Sequence, residues 1–251
     1  YMSRLLCEYA ETLGIQVHKM SRTHVCARNI DGITTNRWLH CHRNGRCKGL
    51  IFIDELFMHE ISLLSKIQQF NLLPDVFFLC VGDDLQLEGI NNIWLNKEVP
   101  FENLLKSDML KLMCPNRIIL TKNKRSDAVI HDFVTRCRTG NLNNLLKEAR
   151  EKFTYPGPFD LELCISNSQR KHINVVKNKR EGVCLRGETT MYIYPGLELI
   201  GCLPVKRNNI VNGILYTVIS CDSNNVKVSD GSQEYTVTTC FAGSSFRLAF
   251  S

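Results

Sequence analysis

Two apolar runs that each end in acidic residues constrain this chain more than any other feature. Leu50-Ile51-Phe52-Ile53 runs straight into Asp54-Glu55, and Val76-Phe77-Phe78-Leu79-Cys80-Val81 runs into Gly82-Asp83-Asp84. Runs that are apolar at every position are typical of strands buried on both faces of a parallel sheet. Between them Leu56, Ile61, Leu64 and Ile67 recur at helical spacing. Strand, helix and strand with short links predict an α/β fold. In parallel α/β sheets ligands gather beyond the carboxyl ends of the strands. Asp54, Glu55, Asp83 and Gln86 are therefore expected in one crevice.

The chemistry of that crevice follows from its residue types. A buried strand closing on Asp-Glu suits nucleotide hydrolysis, with Asp54 holding Mg²⁺ through its water shell and Glu55 activating the attacking water. Gln86 is placed to sense a terminal phosphate by hydrogen bonding. The other reading of either segment alone is a solvated polar turn; finding both motifs in one chain favours the crevice.

The rest of the chain divides by texture. Met2, Leu5, Leu6, Tyr9 and Leu13 predict an opening helix that stops at Gly14, with no capping residue ahead of it. Ile118–Leu120 and Leu161–Ile165 read as short strands, Ala128 to Val134 as a helix reaching Gly140, and residues 166 to about 180 as helical. From residue 190 short β segments alternate with turns such as Asp222-Ser223-Asn224-Asn225 and Asp230-Gly231. That texture predicts a small β-barrel-like insert of the SH3 kind. The uncapped start and the abrupt stop after Phe246–Ser251 read as an excerpt of something longer.

Composition excludes some classes. The longest apolar run falls far short of the ~20 residues that span a bilayer, so no membrane partner is expected. The 12 cysteines of the 251 residues are scattered singly, several in apolar runs, which reads as reduced thiols of a nuclear or cytoplasmic protein. A formal net charge of +6 permits nucleic acid as a partner. His40, Cys41, His42 and Cys47 form a metal-like cluster, but they are crowded and lack a second pair at zinc-site spacing. Incidental thiols in a loop are expected there.

The Asp-Glu and GDxxQL pair resembles superfamily one helicases, and other segments match the same family. Thr23 to Trp38 resembles its TGxAAxNIxGxTxHxF stretch, and Leu120 to Arg125 its LTxxxR motif. Ser166-Asn167 with Ile173-Asn174 resembles TNxxxxxIN, and Asn212-Gly213 the NG that opens its β insert. Order and spacing best suit the Pif and RecD branch. His24, Asn36, Ser126 and Glu88-Gly89 depart from the family pattern.

The resemblance implies tandem RecA-like domains: residues 1–116 as the first, 117–189 and 246–251 as parts of the second, and 190–245 as the insert. It implies an ATP- and Mg²⁺-dependent motor moving 5′ to 3′ on single-stranded DNA and opening duplex junctions, with a replication or repair protein as a further partner; the cysteine abundance and loose motif fit are compatible with a viral origin. Asp54, Gly82, Asp83, Gln86 and Arg125 would meet the nucleotide, with Arg125 reaching its γ-phosphate. Thr23, Thr34, Asn36, Trp38, Asn167 and Asn174 would line the strand channel, and Arg28, Arg37, Lys171 and Arg180 would add charge. Two rival readings are an RNA-directed viral helicase and a non-catalytic nucleic-acid-binding remnant. No GxxxxGK[ST] phosphate loop occurs in the sequence; in this family it would stand just before Tyr1, and the last helicase motifs would follow Ser251.

Overall fold

The computed structural model describes residues 2–86, 89, 92–138, 140–154, 162–164, 166–187, 189–202 and 209–250. The chain divides into two compact units, residues 1–157 and 158–251. The expected boundary after residue 116 falls inside the first unit.

The first unit is α/β. Helix α1 (Met2–Thr12) leads to β1 (Val17–Ser21), α2 (His24–Asn29), β2 (Ile33–Thr34), α3 (Thr35–Cys41) and β3 (Gly49–Asp54). After α4 (Ile61–Gln68) and β4 (Val76–Cys80) come the β5–β6 hairpin (Ile93–Trp94, Lys97–Glu98), α5 (Phe101–Leu105), α6 (Asp108–Met113), α7 (Ala128–Cys137) and α8 (Leu142–Lys152). Strands β2-β1-β3-β4, in that order, form a parallel sheet. Ser21 is paired with Asp54 in register, so the carboxyl ends of β1 and β3 finish level.

The central strand behaves as the apolar run demands, with Ile51, Phe52 and Ile53 buried. Helix α4 covers the sheet with Leu64 and Ile67, which pack with Trp38, Phe70, Leu104 and Leu110. β4 differs from expectation: it lies at the sheet edge, and Phe77 is 61% exposed. The opening helix is also reversed from its sequence pattern. Cys7 and Ala10 are its buried residues, whereas Met2, Leu5, Leu6, Tyr9 and Leu13 are exposed. Ile118, Ile119 and Leu120 are an exposed coil and not a strand, because among the described residues no strand pairs with their backbone. α8 was not expected; it is clasped to α7 by the Arg136 guanidinium, whose Nη1 and Nη2 donate to Glu148 at 2.6 and 2.7 Å.

In the second unit α9 (Asn167–Lys177) precedes a hairpin of β7 (Val183–Arg186) and β8 (Thr190–Ile193). Then β9 (Glu198–Gly201), β10 (Leu215–Cys221), β11 (Asn225–Ser229), β12 (Glu234–Thr238), α10 (Thr239–Ser245) and β13 (Phe246–Leu248) follow. The antiparallel order is β12-β11-β10-β9-β13, so Phe246–Leu248 joins the same sheet as β9. Alternate residues such as Val226 and Val228 point into a core with Leu199, Tyr216, Val237 and Phe246, the period-two pattern of a one-sided sheet. Of the strand expected at Leu161–Ile165, both end residues lie outside the described residues, and 162–164 are coil.

Tyr216 is fully buried and its hydroxyl accepts the Val211 N–H at 2.9 Å. Tyr216→Phe leaves that amide short of a partner, and thermal unfolding is expected to show a loss of roughly 1–3 kcal/mol.

Candidate functional site

Asp54 and Glu55 stand at the carboxyl end of β3, and Asp83 and Gln86 follow the end of β4, which pairs with β3 in parallel. Asp54 is the last residue of β3, and Glu55 follows in a left-handed conformation at φ 51°. A non-glycine residue there stores roughly 1–3 kcal/mol of strain, so the surroundings must hold it. The Leu56 N–H donates to Val81 O at 2.9 Å, tying the turn to the end of β4. His59 is buried; its Nδ1 donates toward Leu56 O at 3.0 Å and Glu55 O at 3.2 Å, and its Nε2 lies 2.7 Å from Thr35 Oγ1. From the other side Ser21 Oγ donates to Asp54 O at 3.1 Å.

Gly82 lies close against the same turn. A Cβ there would sit 3.0 Å from Phe57 Cδ2 and 3.2 Å from Leu56 Cβ, so a side chain would push on the Asp-Glu turn. Asp83 is held on both oxygens: Oδ1 accepts the Leu85 N–H at 3.0 Å, and Oδ2 accepts Arg138 Nη2 at 2.9 Å with Gln86 Nε2 at 3.5 Å. Gln86 is exposed; Leu87 and Glu88, the next residues of the motif, lie outside the described residues.

Electrostatics mark the crevice as short of positive charge. Burial raises the Asp54 carboxyl above its ordinary value, against a partial offset from the Glu55 backbone N–H. Burial also raises Glu55, and the charges of Asp54 and Asp83 raise it further while Arg125 lowers it. Crowded, partly desolvated carboxylates are the oxygen donors that a hard divalent cation takes. The donor set therefore fits Mg²⁺, with Asp54 and Glu55 beside it. Arg125 lies on an exposed turn in which its N–H donates to Asn123 Oδ1 at 3.0 Å. It belongs to the first unit, and its charge is already felt at Glu55.

The expected strand-lining residues fare unevenly. Thr23 caps α2, its Oγ1 accepting the Cys26 N–H at 3.2 Å; Thr34 precedes α3 with no side-chain cap bond, and Asn36 is exposed on the first turn of α3. Asn167 is exposed at the start of α9. Two assignments are corrected. Trp38 is 1% exposed, stacked on His42 at 4.2 Å and edge-on to Phe70, so it packs the core and presents no face to a base. Asn174 is buried, with Nδ2 donating to Leu248 O at 3.0 Å, so it ties α9 to the end of β13.

Ser21, His59 and Arg138 were missed. A histidine four residues beyond Glu55 was a readable signal; Arg138 meets Asp83 across a stretch that no local pattern spans. Burial holds His59 below its ordinary 6.5. On acidification the unfolded chain takes up a proton there before the folded chain does, so stability is lost as pH falls below about 6.5. His18 is also lowered by burial and acts with the same sign. Asp54 and Glu55 act oppositely and at lower pH: their raised values favour the folded chain as pH falls through them. Melting at about pH 6 and about pH 8 is expected to show a smaller acid loss in His59→Gln than in the parent.

No family model matches the sequence, and no curated protein matches it. Solved structures match by fold, Pif1 helicases among them. One comes from a study of DNA unwinding at forked dsDNA by two coordinating Pif1 helicases; it superposes with a TM-score of 0.67 at 14% identity over 99% of this chain and 74% of that one. The Candida albicans Pif1 helicase gives 0.65 at 16% identity over 94% and 71%. A Bacteroides Pif1 in complex with ADP-AlF3 and ssDNA gives 0.62 at 14% over 88% and 64%. The chain thus shares the mixed α/β fold of these Pif1 structures, with a four-stranded parallel sheet. Among the described residues no helix is long and apolar enough to cross a membrane.

Proposed function

We propose that this chain is the motor region of an ATP-dependent DNA helicase that moves 5′ to 3′ along single-stranded DNA and opens duplex junctions. What supports the reading is that Asp54 and Glu55 close β3 while Asp83 and Gln86 follow its parallel neighbour β4, on a fold shared with a Bacteroides Pif1 solved with ADP-AlF3 and ssDNA. Bound MgATP supplies an electrophilic γ-phosphoryl group. Asp54 would hold the metal, Glu55 would accept the proton of the attacking water, and Gln86 would hydrogen-bond near the phosphate. Gly82 keeps the floor of the site clear, Arg138 holds Asp83 in place, and Arg125 stabilises charge on the transferred group. Thr23, Thr34 and Asn36 in the first unit and Asn167 in the second supply donors to a DNA backbone. In this reading residues 117–189 and 246–251 belong to a second motor lobe and 190–245 are its insert.

The test is ATP turnover by the full-length protein with and without single-stranded DNA, followed by unwinding of duplexes with a 5′ or a 3′ tail. DNA-stimulated turnover and unwinding from the 5′ tail are expected. Turnover indifferent to DNA, or unwinding confined to RNA duplexes or 3′ tails, would overturn the reading.

A further inference from the structure

The thiol and imidazole groups near residue 40 are not arranged as their sequence spacing suggests. His40 and Cys41 are exposed, whereas His42 and Cys47 are half-buried and meet His18, which arrives from β1. One ring nitrogen from each histidine and the Cys47 Sγ lie within 4.8 Å of one another. The two rings stand edge-on, 5.0 Å apart. Each is oriented by a backbone carbonyl: His18 Nε2 is 3.1 Å from Lys48 O, and His42 Nδ1 is 2.9 Å from Trp38 O. The Trp38 ring backs His42 from the core side.

We propose that His18, His42 and Cys47 form a binding site for one zinc-type divalent transition-metal ion, with a fourth position open to water. Two imidazoles and a thiolate are the donor set of a borderline-soft ion, whereas Mg²⁺ and Ca²⁺ prefer oxygen. Metal-bound histidines characteristically rest one nitrogen on a carbonyl or carboxylate, and each of these rings has one nitrogen on a backbone carbonyl. Zn–N and Zn–S bonds imply ligand spacings of roughly 3.5 Å, and the three atoms already lie within 4.8 Å of one another. Burial holds His18 below its ordinary value and so keeps it neutral near pH 7, while the Cys47 thiol is raised and must release its proton to the solvent as the metal–sulfur bond forms.

The site lies at the amino ends of β1 and β3, opposite Ser21 and Asp54 at their carboxyl ends. Its ion would staple the 42–48 loop to the sheet and take no part in the carboxylate crevice. The inference therefore stands apart from the helicase reading.

The chain, stripped with chelator, is titrated with Co²⁺ and then challenged with Zn²⁺. One equivalent of Co²⁺ is expected to give a thiolate-to-cobalt absorption that Zn²⁺ abolishes by displacement, and Zn²⁺ is expected to raise the thermal midpoint. Cys47→Ser and His18→Gln should each weaken binding beyond the roughly 10–100-fold that outer-shell changes produce. Cys41→Ser and His40→Gln should leave it unchanged. Absence of the absorption, its survival in Cys47→Ser, or its loss in Cys41→Ser overturns the site. Circular dichroism of the metal-free variants separates lost binding from lost folding, and Cys47→Ser, a near-isosteric change outside any helix or strand, decides even where a histidine variant fails to fold.

Discussion

Arg125→Ala is expected to lower ATP turnover of the full-length protein by roughly 10³–10⁵, the range of an arginine that stabilises a transferred phosphoryl group, while single-strand affinity stays unchanged. Such a factor corresponds to about 4–7 kcal/mol of transition-state stabilisation, more than a solvated surface cation contributes. Two arginines are candidates, and the structure separates them. Arg138 is already engaged, its Nη2 on Asp83 Oδ2 at 2.9 Å. Among the described residues no ion pair occupies the Arg125 guanidinium, yet its charge reaches Glu55. Arg138→Ala should therefore cost less, because it acts through the posture of Asp83. Arg125→Lys keeps the charge and loses the planar fork, so an intermediate rate is expected. Steady-state turnover at saturating ATP, with DNA binding measured by anisotropy, reads all three. Collapse in Arg138→Ala with normal turnover in Arg125→Ala would exchange their roles.

The strand ends were legible because two independent patterns coincide there: unbroken apolar runs set the strands, and acids at their carboxyl ends set the crevice. β3 and β4 pair in parallel with Ile53 opposite Cys80, so Asp54 and Glu55 leave the sheet at the same edge from which the chain runs on to Asp83. Periodicity alone was less informative. It shows that one face of a helix is apolar, not that anything covers it, and in α1 the apolar stripe is exposed while the smaller Cys7 and Ala10 are buried. Ile118–Leu120 is apolar enough for a strand, but a strand needs a partner backbone that local sequence does not encode. Trp38 and Asn174 were ambiguous for a related reason. An aromatic or an amide suits a nucleic-acid contact and a core contact equally, and burial decides only after folding. His18, His42 and Cys47 come from a strand, a helix end and a loop, so ligand spacing along the chain missed a cluster that tertiary packing assembles.

Glu55→Gln is expected to cut ATP hydrolysis by roughly 10²–10⁴, the usual contribution of a positioned general base, with nucleotide binding retained. The carboxylate is favourable for this role in two respects. Its pKa is raised by burial and by the neighbouring charges of Asp54 and Asp83, which makes it a stronger proton acceptor than a solvated glutamate. Its backbone is held left-handed by the Leu56–Val81 hydrogen bond and by His59, so the side chain leaves the strand end in a set direction. Glutamine preserves size and removes the basic oxygen, so a selective loss of turnover isolates proton transfer from packing. Asp54 tests the complementary role: Asp54→Asn should weaken the Mg²⁺ dependence of nucleotide binding, which Glu55→Gln should leave intact. Single-turnover hydrolysis together with a Mg²⁺ titration of nucleotide binding separates the two carboxylates, and equal loss of both properties in both variants would mean that the pair acts only as an undivided anionic patch.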